Sequence, residues 1–346
     1  MPVGTKGTVK GLTPADLREV GAGIVLGNTY HLYLRPGSDL IKVAGGLHAF
    51  MGWHGPILTD SGGYQVFSLA QTRRISEEGV EFASVYDGSR HVFTPELTTR
   101  VQEDLGSDVA MVLDECPPAN AGREYHEESL RRTARWARRC KEVRGSGDQA
   151  LFGIVQGGLY PDLREESLGL TVEIGFDGYA VGGLSVGESR EEMLETLELT
   201  APRLPAEKPR YFMGIGYPVG ILKVIALGVD MFDCVLPTRL ARHATALTQD
   251  GRINLKNARY RTDFGPLDPG CPCEACSGYS RAYLAHLVRE NELLGHRLVT
   301  LHNVRFSVDL CLRARREIEA GRYEEWSRAW ISRYQGSDRA ESDKLE

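Results

Sequence analysis

Seven short apolar runs recur along the chain, at 24–29, 56–63, 109–115, 151–158, 178–183, 211–216 and 231–236. Six are nearly continuous, and each closes on a glycine or a polar residue. Strands that bury both faces have this pattern, and parallel sheets bury both faces. Helical patterns separate them. Thr94-Pro95-Glu96 opens one with a capping residue and a proline at its first position. A long stretch at 127–143 is charged along one side, and Ser189-Arg190-Glu191-Glu192 forms a capping box before Met193, Leu194, Leu197 and Leu199. Repeated strand–helix units fit either a doubly wound sheet or a (β/α)8 TIM barrel. With residues 1–3 as an eighth strand stub, the count favours the barrel. The segment 79–93 instead alternates around Asp87-Gly88, which predicts an inserted β-hairpin.

If the runs are barrel strands, their carboxyl ends meet at one mouth, where barrel active sites gather. Asp60, Asp114, Gln156, Gly182, Gly183, Gly214 and Asp233 fall there. The run around Asp233 is the most telling. Gly228-Val229-Asp230-Met231-Phe232-Asp233-Cys234-Val235-Leu236-Pro237-Thr238-Arg239 sets one carboxylate inside an apolar segment, and Arg239 and Arg242 follow. A lone carboxylate among apolar neighbours costs free energy unless it is paired or working. Taken singly, each residue reads as a turn, a cap or a helix stop. Their agreement across unrelated strands points to a site. Two carboxylates in one mouth suit glycosyl transfer, one attacking the anomeric carbon and the other moving the proton. A third acid and an amide can read the edge of a planar heterocycle, and Tyr64 can stack on it.

The 346 residues suffice for a large barrel plus a small module. The formal net charge is −6, which excludes a generally basic nucleic-acid coat but not a local groove. Arg239 and Arg242, with Lys256, Arg259 and Arg261, are the candidates for such a groove. No apolar run is long enough to span a membrane, and no signal-peptide pattern opens the chain.

Seven cysteines are present, three of them in Cys271-Pro272-Cys273-Glu274-Ala275-Cys276. With His302 they complete a tetrahedral shell for one structural zinc ion per chain, with no position left for a reacting water. His286 and His296 are rival fourth ligands. The expected organisation is a barrel with the catalytic mouth over 1–262, a zinc-binding subdomain over 263–304, and a helical segment over 305–346 packing back on the barrel. A reducing cytoplasm is the simplest compartment for such a chain.

The segments LGNTYHLYLRPG, LTDSGGYQVFS, DGSRHVFTPE, LDECPP, GIVQGG, GFDGYAVGGLSVGE, MGIG, DMFDCVLPTR, CPCEAC and LHN resemble, in order, the tRNA-guanine transglycosylases, the queuine tRNA-ribosyltransferase family. The resemblance covers essentially the whole chain. It implies a zinc-containing barrel, a homodimer, that exchanges guanine at the wobble position of GUN-anticodon tRNAs (the Asp, Asn, His and Tyr isoacceptors) for a 7-deazaguanine. By resemblance Asp233 is the nucleophile and Asp60 the general acid/base. Asp114, Gln156, Gly183 and the Leu184 backbone contact the base, which Tyr64 and Met213 sandwich beside Gly214. Arg239 and Arg242 match anticodon-loop contacts, and zinc falls on Cys271, Cys273, Cys276 and His302. Cys116 and Val186 resemble the bacterial branch, whose substrate is preQ1, rather than the queuine-accepting branch. The family's Pro-Val-Gly-Thr motif stands at residues 2–5, so the first strand is expected to be truncated and the barrel edge open.

Two other readings make different demands. A non-catalytic tRNA-binding subunit of this fold would lack Asp233 or Asp60, and both are present. A zinc-stabilised barrel hydrolase would place a metal-ligand cluster at the strand ends, which the sequence does not.

Overall fold

The computed structural model describes residues 1–69 and 73–342, so residues 343–346 of the expected C-terminal segment lie outside the described residues. The strands are β1 (Val25–Gly27), β2 (Ile57–Thr59), β3 (Arg73–Ile75), β4 (Val80–Ala83), β5 (Arg90–Phe93), β6 (Val109–Met111), β7 (Ala150–Val155), β8 (Gly178–Val181), β9 (Arg210–Phe212), β10 (Met231–Phe232), β11 (Thr245–Thr248) and β12 (Gly251–Asn254). Each of the seven apolar runs contains one strand of a single parallel sheet, in the order β1-β2-β6-β7-β8-β9-β10. The sheet curls into a TIM-type barrel. Its strands are almost wholly buried because helices cover the outer face while apolar side chains fill the interior.

Residues 1–4 lie along the barrel edge as a short strand-like segment. Pro2 bridges Cys234 and Val3 bridges Leu26, both in the parallel sense. The Gly4 amide donates to the Leu26 carbonyl, the Leu26 amide to the Pro2 carbonyl at 3.0 Å, and the Met1 amino group to the Phe232 carbonyl at 2.7 Å. This short segment therefore satisfies backbone groups of both β1 and β10, and the edge expected to be open is bridged.

Local signals in the sequence end up where their chemistry directs. Thr94 Oγ1 accepts from the Leu97 amide and Pro95 starts the helix Pro95–Leu105. Ser189 and Glu192 form their reciprocal box at the head of Arg190–Thr200. The helix Arg123–Val143 packs one face on the barrel through Trp136, which is fully buried and whose Nε1 donates to the Glu77 carbonyl. Truncating such a side chain to alanine costs about 3–5 kcal/mol. The inserted hairpin is present as antiparallel β4 and β5, with Asp87 and Gly88 in the turn. It also gains a third strand, β3, paired to β4. The exposed and charged residues of β3 hid it from a reading based on apolar alternation.

The C-terminal region joins the barrel's first segments in one core. Leu17, Ile41, Leu47 and Trp53 pack in a single cluster with Ala275, Leu284, Leu298 and Leu301. The helix Leu293–Glu319 runs unbroken through residue 304, so the segment beyond it is continuous with the helix that carries His302.

Candidate active site

The mouth is assembled from the loops that follow β1, β2, β6, β7, β8, β9 and β10. Asp60 follows β2 directly, its amide held by the Gly27 carbonyl at the end of β1. Its carboxylate accepts from the Thr29 amide at 2.9 Å, from Gln65 Nε2 at 3.0 Å and from Asn28 Nδ2. Asp114, beyond β6, accepts from Gln156 Nε2 at 2.7 Å and from Ser61 Oγ at 3.2 Å. The ends of β2, β6 and β7 are thus tied together by side chains. Gly63 permits this approach, because a Cβ there would sit 2.6 Å from the Asp114 carbonyl.

Asp233 stands just past β10, half-buried. Tyr211 Oη donates to its Oδ1 at 2.6 Å, and the Gly214 amide donates to the same oxygen at 3.0 Å. Both donors come from β9 and its loop, so the neighbouring strand fixes one carboxylate oxygen.

Burial raises the pKa of two of these acids. Asp60 is pushed up to about 6, mainly because burial disfavours its charge; its three donors oppose the shift and the charge of Asp233 adds to it. Asp114 is also pushed up to about 6 by burial, against the pull of Gln156 and Ser61 and with Glu115 adding to the rise. The phenol of Tyr211 lies well above its ordinary value through burial and the charges of Asp233 and Asp60. Asp60 and Asp233 are therefore close enough across the mouth to feel one another.

The remaining expected contacts surround these acids. Gly183 takes φ +65°, and a Cβ there would lie 2.3 Å from Gln156 Oε1, so glycine lets this loop lie against the glutamine. Leu184 and Cys116 are buried, and the Cys116 thiol is pushed up to about 12 by burial. Tyr64 is half exposed, Met213 is half-buried and Gly214 is exposed. Ser185 also has positive φ, and Glu188 takes the amides of Ser185 and Val186.

Sequence reasoning missed several participants. Tyr211 belongs to a run read only as apolar strand. Asn28 and Gln65 stand inside quoted segments without a role, and Arg164, at the back of the mouth, lies in a helix that gave no signal.

Arg239 and Arg242 project from the helix Leu236–Arg242, both exposed. They share a field with Lys6 and Lys10. The Lys10 ammonium is lowered by partial burial and then by Arg242, Lys6 and Arg239, while His31 is lowered by burial and then by Lys6 and Lys10. Lys6 and Lys10 had no distinguishing sequence pattern. Lys256 and Arg261 are exposed, whereas Arg259 donates to Tyr260 Oη at 2.8 Å and is engaged locally.

Cys271, Cys273, Cys276 and His302 come together with all ligand atoms within 4.8 Å of one another, a group able to hold a metal ion. The three Sγ atoms lie 3.7, 3.6 and 3.3 Å from His302 Nδ1. The other ring nitrogen, Nε2, faces the Leu247 carbonyl at 2.7 Å, which leaves Nδ1 free to ligate. His286 and His296 stand outside this group. No helix among the described residues is long and apolar enough to cross a membrane.

Comparison with known proteins places this architecture. The family profile described as queuine tRNA-ribosyltransferase matches residues 1–336. The queuine tRNA-ribosyltransferase of Solidesulfovibrio magneticus is 59% identical over 325 residues, covering 93% of this chain and 87% of that protein. Those of Pelotomaculum thermopropionicum and Halothermothrix orenii are each 54% identical, over 336 and 334 residues, covering 97% and 96% of this chain and 91% and 90% of theirs.

Proposed function

The chain belongs to the queuine tRNA-ribosyltransferase family, the tRNA-guanine transglycosylases with pentosyltransferase chemistry, and from that premise we propose how its own residues carry the exchange. The substrate is a GUN-anticodon tRNA (Asp, Asn, His or Tyr), and the incoming base is the queuosine precursor preQ1, 7-aminomethyl-7-deazaguanine. Guanine at position 34 leaves its stack and enters the mouth. Asp233 attacks C1′ of the ribose; the C1′–N9 bond breaks as the carboxylate–C1′ bond forms, and the departing guanine takes the proton held by Asp60. In the second displacement, Asp60 accepts the N9 proton of the incoming base as that nitrogen attacks C1′ and expels Asp233. The ribosyl group is conserved throughout, so no nucleotide cofactor is consumed.

The observation that carries this reading is the pair Asp60 and Asp233 facing one mouth in unlike surroundings. Asp60, raised to about 6, can hold or release a proton near neutrality. Asp233 has Oδ1 engaged by Tyr211 and Gly214, which leaves Oδ2 as the attacking atom. Asp114, Gln156, Gly183 and the Leu184 backbone read the base edge, Tyr64 and Met213 cover its faces beside Gly214, and Cys116 lines the pocket. Arg239 and Arg242 hold the anticodon loop, with Lys6 and Lys10 adding to their field.

Zinc is the metal that the four-ligand group suits. A tetrahedron with Zn–S of about 2.3 Å and Zn–N of about 2.0 Å has S···N edges of about 3.5 Å, and the observed separations bracket that value. With three thiolates and one imidazole, a bound ion would have a closed shell and a structural role. The protein acts as a cytoplasmic homodimer in this reading.

The test is incubation with labelled guanine and a GUN-anticodon tRNA. Incorporation at position 34 without any nucleotide cofactor is expected, and preQ1 should outcompete queuine. Failure to incorporate guanine would overturn the reaction class.

A further inference from the structure

Arg164 is a cation in an unusual place. It sits in the first turn of the helix Pro161–Ile174, outside the barrel wall, and its side chain is buried. No carboxylate contacts it among the described residues. Its guanidinium instead donates to four backbone carbonyls: Nε to Gly158 at 2.7 Å, Nη1 to Gly182 at 2.7 Å and to Val155 at 3.1 Å, and Nη2 to Gly183 at 3.3 Å. Burial pulls it down to about 10, offset only in part by the more distant Cys116 and Glu188. A buried cation without a counter-charge is costly, and an apolar side chain would serve packing alone better. The planar fork matches several acceptors at once, as a lysine cannot.

The direction of those carbonyls matters. In a trans peptide the C=O and the following N–H point opposite ways. Carbonyls of Gly182 and Gly183 drawn outward onto Arg164 turn the amides of Gly183 and Leu184 inward. The Gly183 amide meets the Cys116 thiol there, on the same floor as Gln156 and Asp114. The next two amides, of Ser185 and Val186, are turned away and held by Glu188. The loop after β8 is therefore sorted residue by residue, with one anchor behind it and another beyond it.

We propose that Arg164 is a positioning residue that aims the Gly183 and Leu184 amides at the carbonyl oxygen of the bound base, and so sets the preference for a 6-oxopurine. This rests on the base-exchange reading above. Arg164 touches neither substrate nor reacting atoms; it acts by fixing which way two peptide groups face.

The experiment compares Arg164→Lys and Arg164→Met with the parent in guanine exchange into tRNA, using 2-aminopurine, which lacks the carbonyl oxygen, as a competing ligand. The KM for guanine should rise at least tenfold, equivalent to about 1.4 kcal/mol, with kcat lowered less than threefold. Inhibition by 2-aminopurine and the Kd for tRNA should stay within twofold. Val172→Ala, on the same helix, serves as a packing control that lowers Tm without changing the guanine to 2-aminopurine ratio. Equal weakening of both bases, or an unchanged guanine KM, overturns the proposal. A measurement on the parent alone guards against variants that do not fold. Hydrogen exchange across 182–186 should slow on saturation with guanine and not with 2-aminopurine, and an identical response to both bases likewise overturns it. A parent that fails to exchange guanine refutes the base-exchange reading instead, so the two failures are distinguishable.

Discussion

Replacing Asp114 by asparagine should make the protein more stable, and more so at alkaline pH. The carboxyl is buried and titrates near 6 in the folded state, against 3.8 for the ordinary side chain. Between those values the folded protein holds a proton that the unfolded chain has released. Stability is therefore lost as pH rises through that window. Linkage with these two values gives a penalty of about 1.6 kcal/mol at pH 5 and about 3 kcal/mol at pH 8, with almost none at pH 3. Asparagine removes the titrating charge and keeps the shape. One partner is ready for its amide: Gln156 Oε1 is buried without a hydrogen bond among the described residues, and a reoriented Gln156 can accept from the new Nδ2. For a chain of this length the entropy of unfolding is about 0.7 kcal/mol per degree, so the full penalty corresponds to roughly 4 °C in Tm. The assay is differential scanning calorimetry of parent and Asp114→Asn from pH 5 to 8. The gain in Tm should be about twice as large at pH 8 as at pH 5, while guanine exchange is lost. A gain that does not change with pH, or a loss of stability at pH 8, would refute the view that this carboxylate is ionised at a cost to the fold.

Asp233→Asn should abolish trapping of the covalent tRNA adduct on denaturing gels, because an amide is a far poorer nucleophile than a carboxylate; adduct at the parental level would remove Asp233 from that role. The kcat/KM for incoming base should rise with pH through about 6 as Asp60 becomes the competent base, and Asp60→Asn should flatten that limb in a pH–rate series. Elemental analysis should find one zinc per chain, and Cys273→Ala should unfold the 263–304 region in limited proteolysis; a zinc-free, fully folded variant would contradict the metal reading. Arg239→Ala and Arg242→Ala should each lower the salt slope of tRNA binding by about 1, weakening all tRNAs alike, whereas Gln156→Ala should leave the slope unchanged.

The barrel was legible because both-face burial writes a simple signal: apolar runs spaced by helices. The candidate metal-ligand group was legible because three cysteines fall within six positions. What stayed hidden depends on contacts between distant segments. Tyr211 looks like any strand aromatic until β9 and β10 lie side by side and its hydroxyl meets Asp233. Arg164 looks like an ordinary charge in a helix's first turn until the helix folds against two strand ends. Strand β3 carries Arg73 and Arg74, and its pairing is specified by β4 rather than by its own pattern. Residues 1–3 were legible as a strand stub, but their bridging of the barrel edge depends on backbone groups more than side chains.

The unsatisfied chemistry of the free mouth itself argues for a planar base with mixed donors and acceptors. Four features there are individually unfavourable: Asp60 and Asp114 buried with raised pKa values, and the Oε1 atoms of Gln65 and Gln156 buried without partners among the described residues. A hydrophobic ligand would leave all four as they are. A phosphate would add negative charge beside two acids. A guanine-like edge offers two adjacent donors, N1–H and the exocyclic amine, beside one carbonyl acceptor. The donors suit a carboxylate such as Asp114. The carbonyl suits Gln156 Nε2 and a backbone amide, and drawing Nε2 off Asp114 frees that carboxylate for the donors. Binding would thus convert buried, partly unpaired groups into charge-assisted hydrogen bonds, which are the strong ones, and a base lacking any one of the three edge groups would leave a buried polar atom unpaired at a cost of about 1–3 kcal/mol. Selectivity at this site follows from the penalty of an incomplete match more than from the strength of a complete one. Measured affinities should accordingly fall from guanine to hypoxanthine, which lacks the exocyclic amine, and further to 2-aminopurine, which lacks both the carbonyl and the N1–H, and a series that varies instead with ring hydrophobicity would place recognition in the stacking contacts of Tyr64 and Met213.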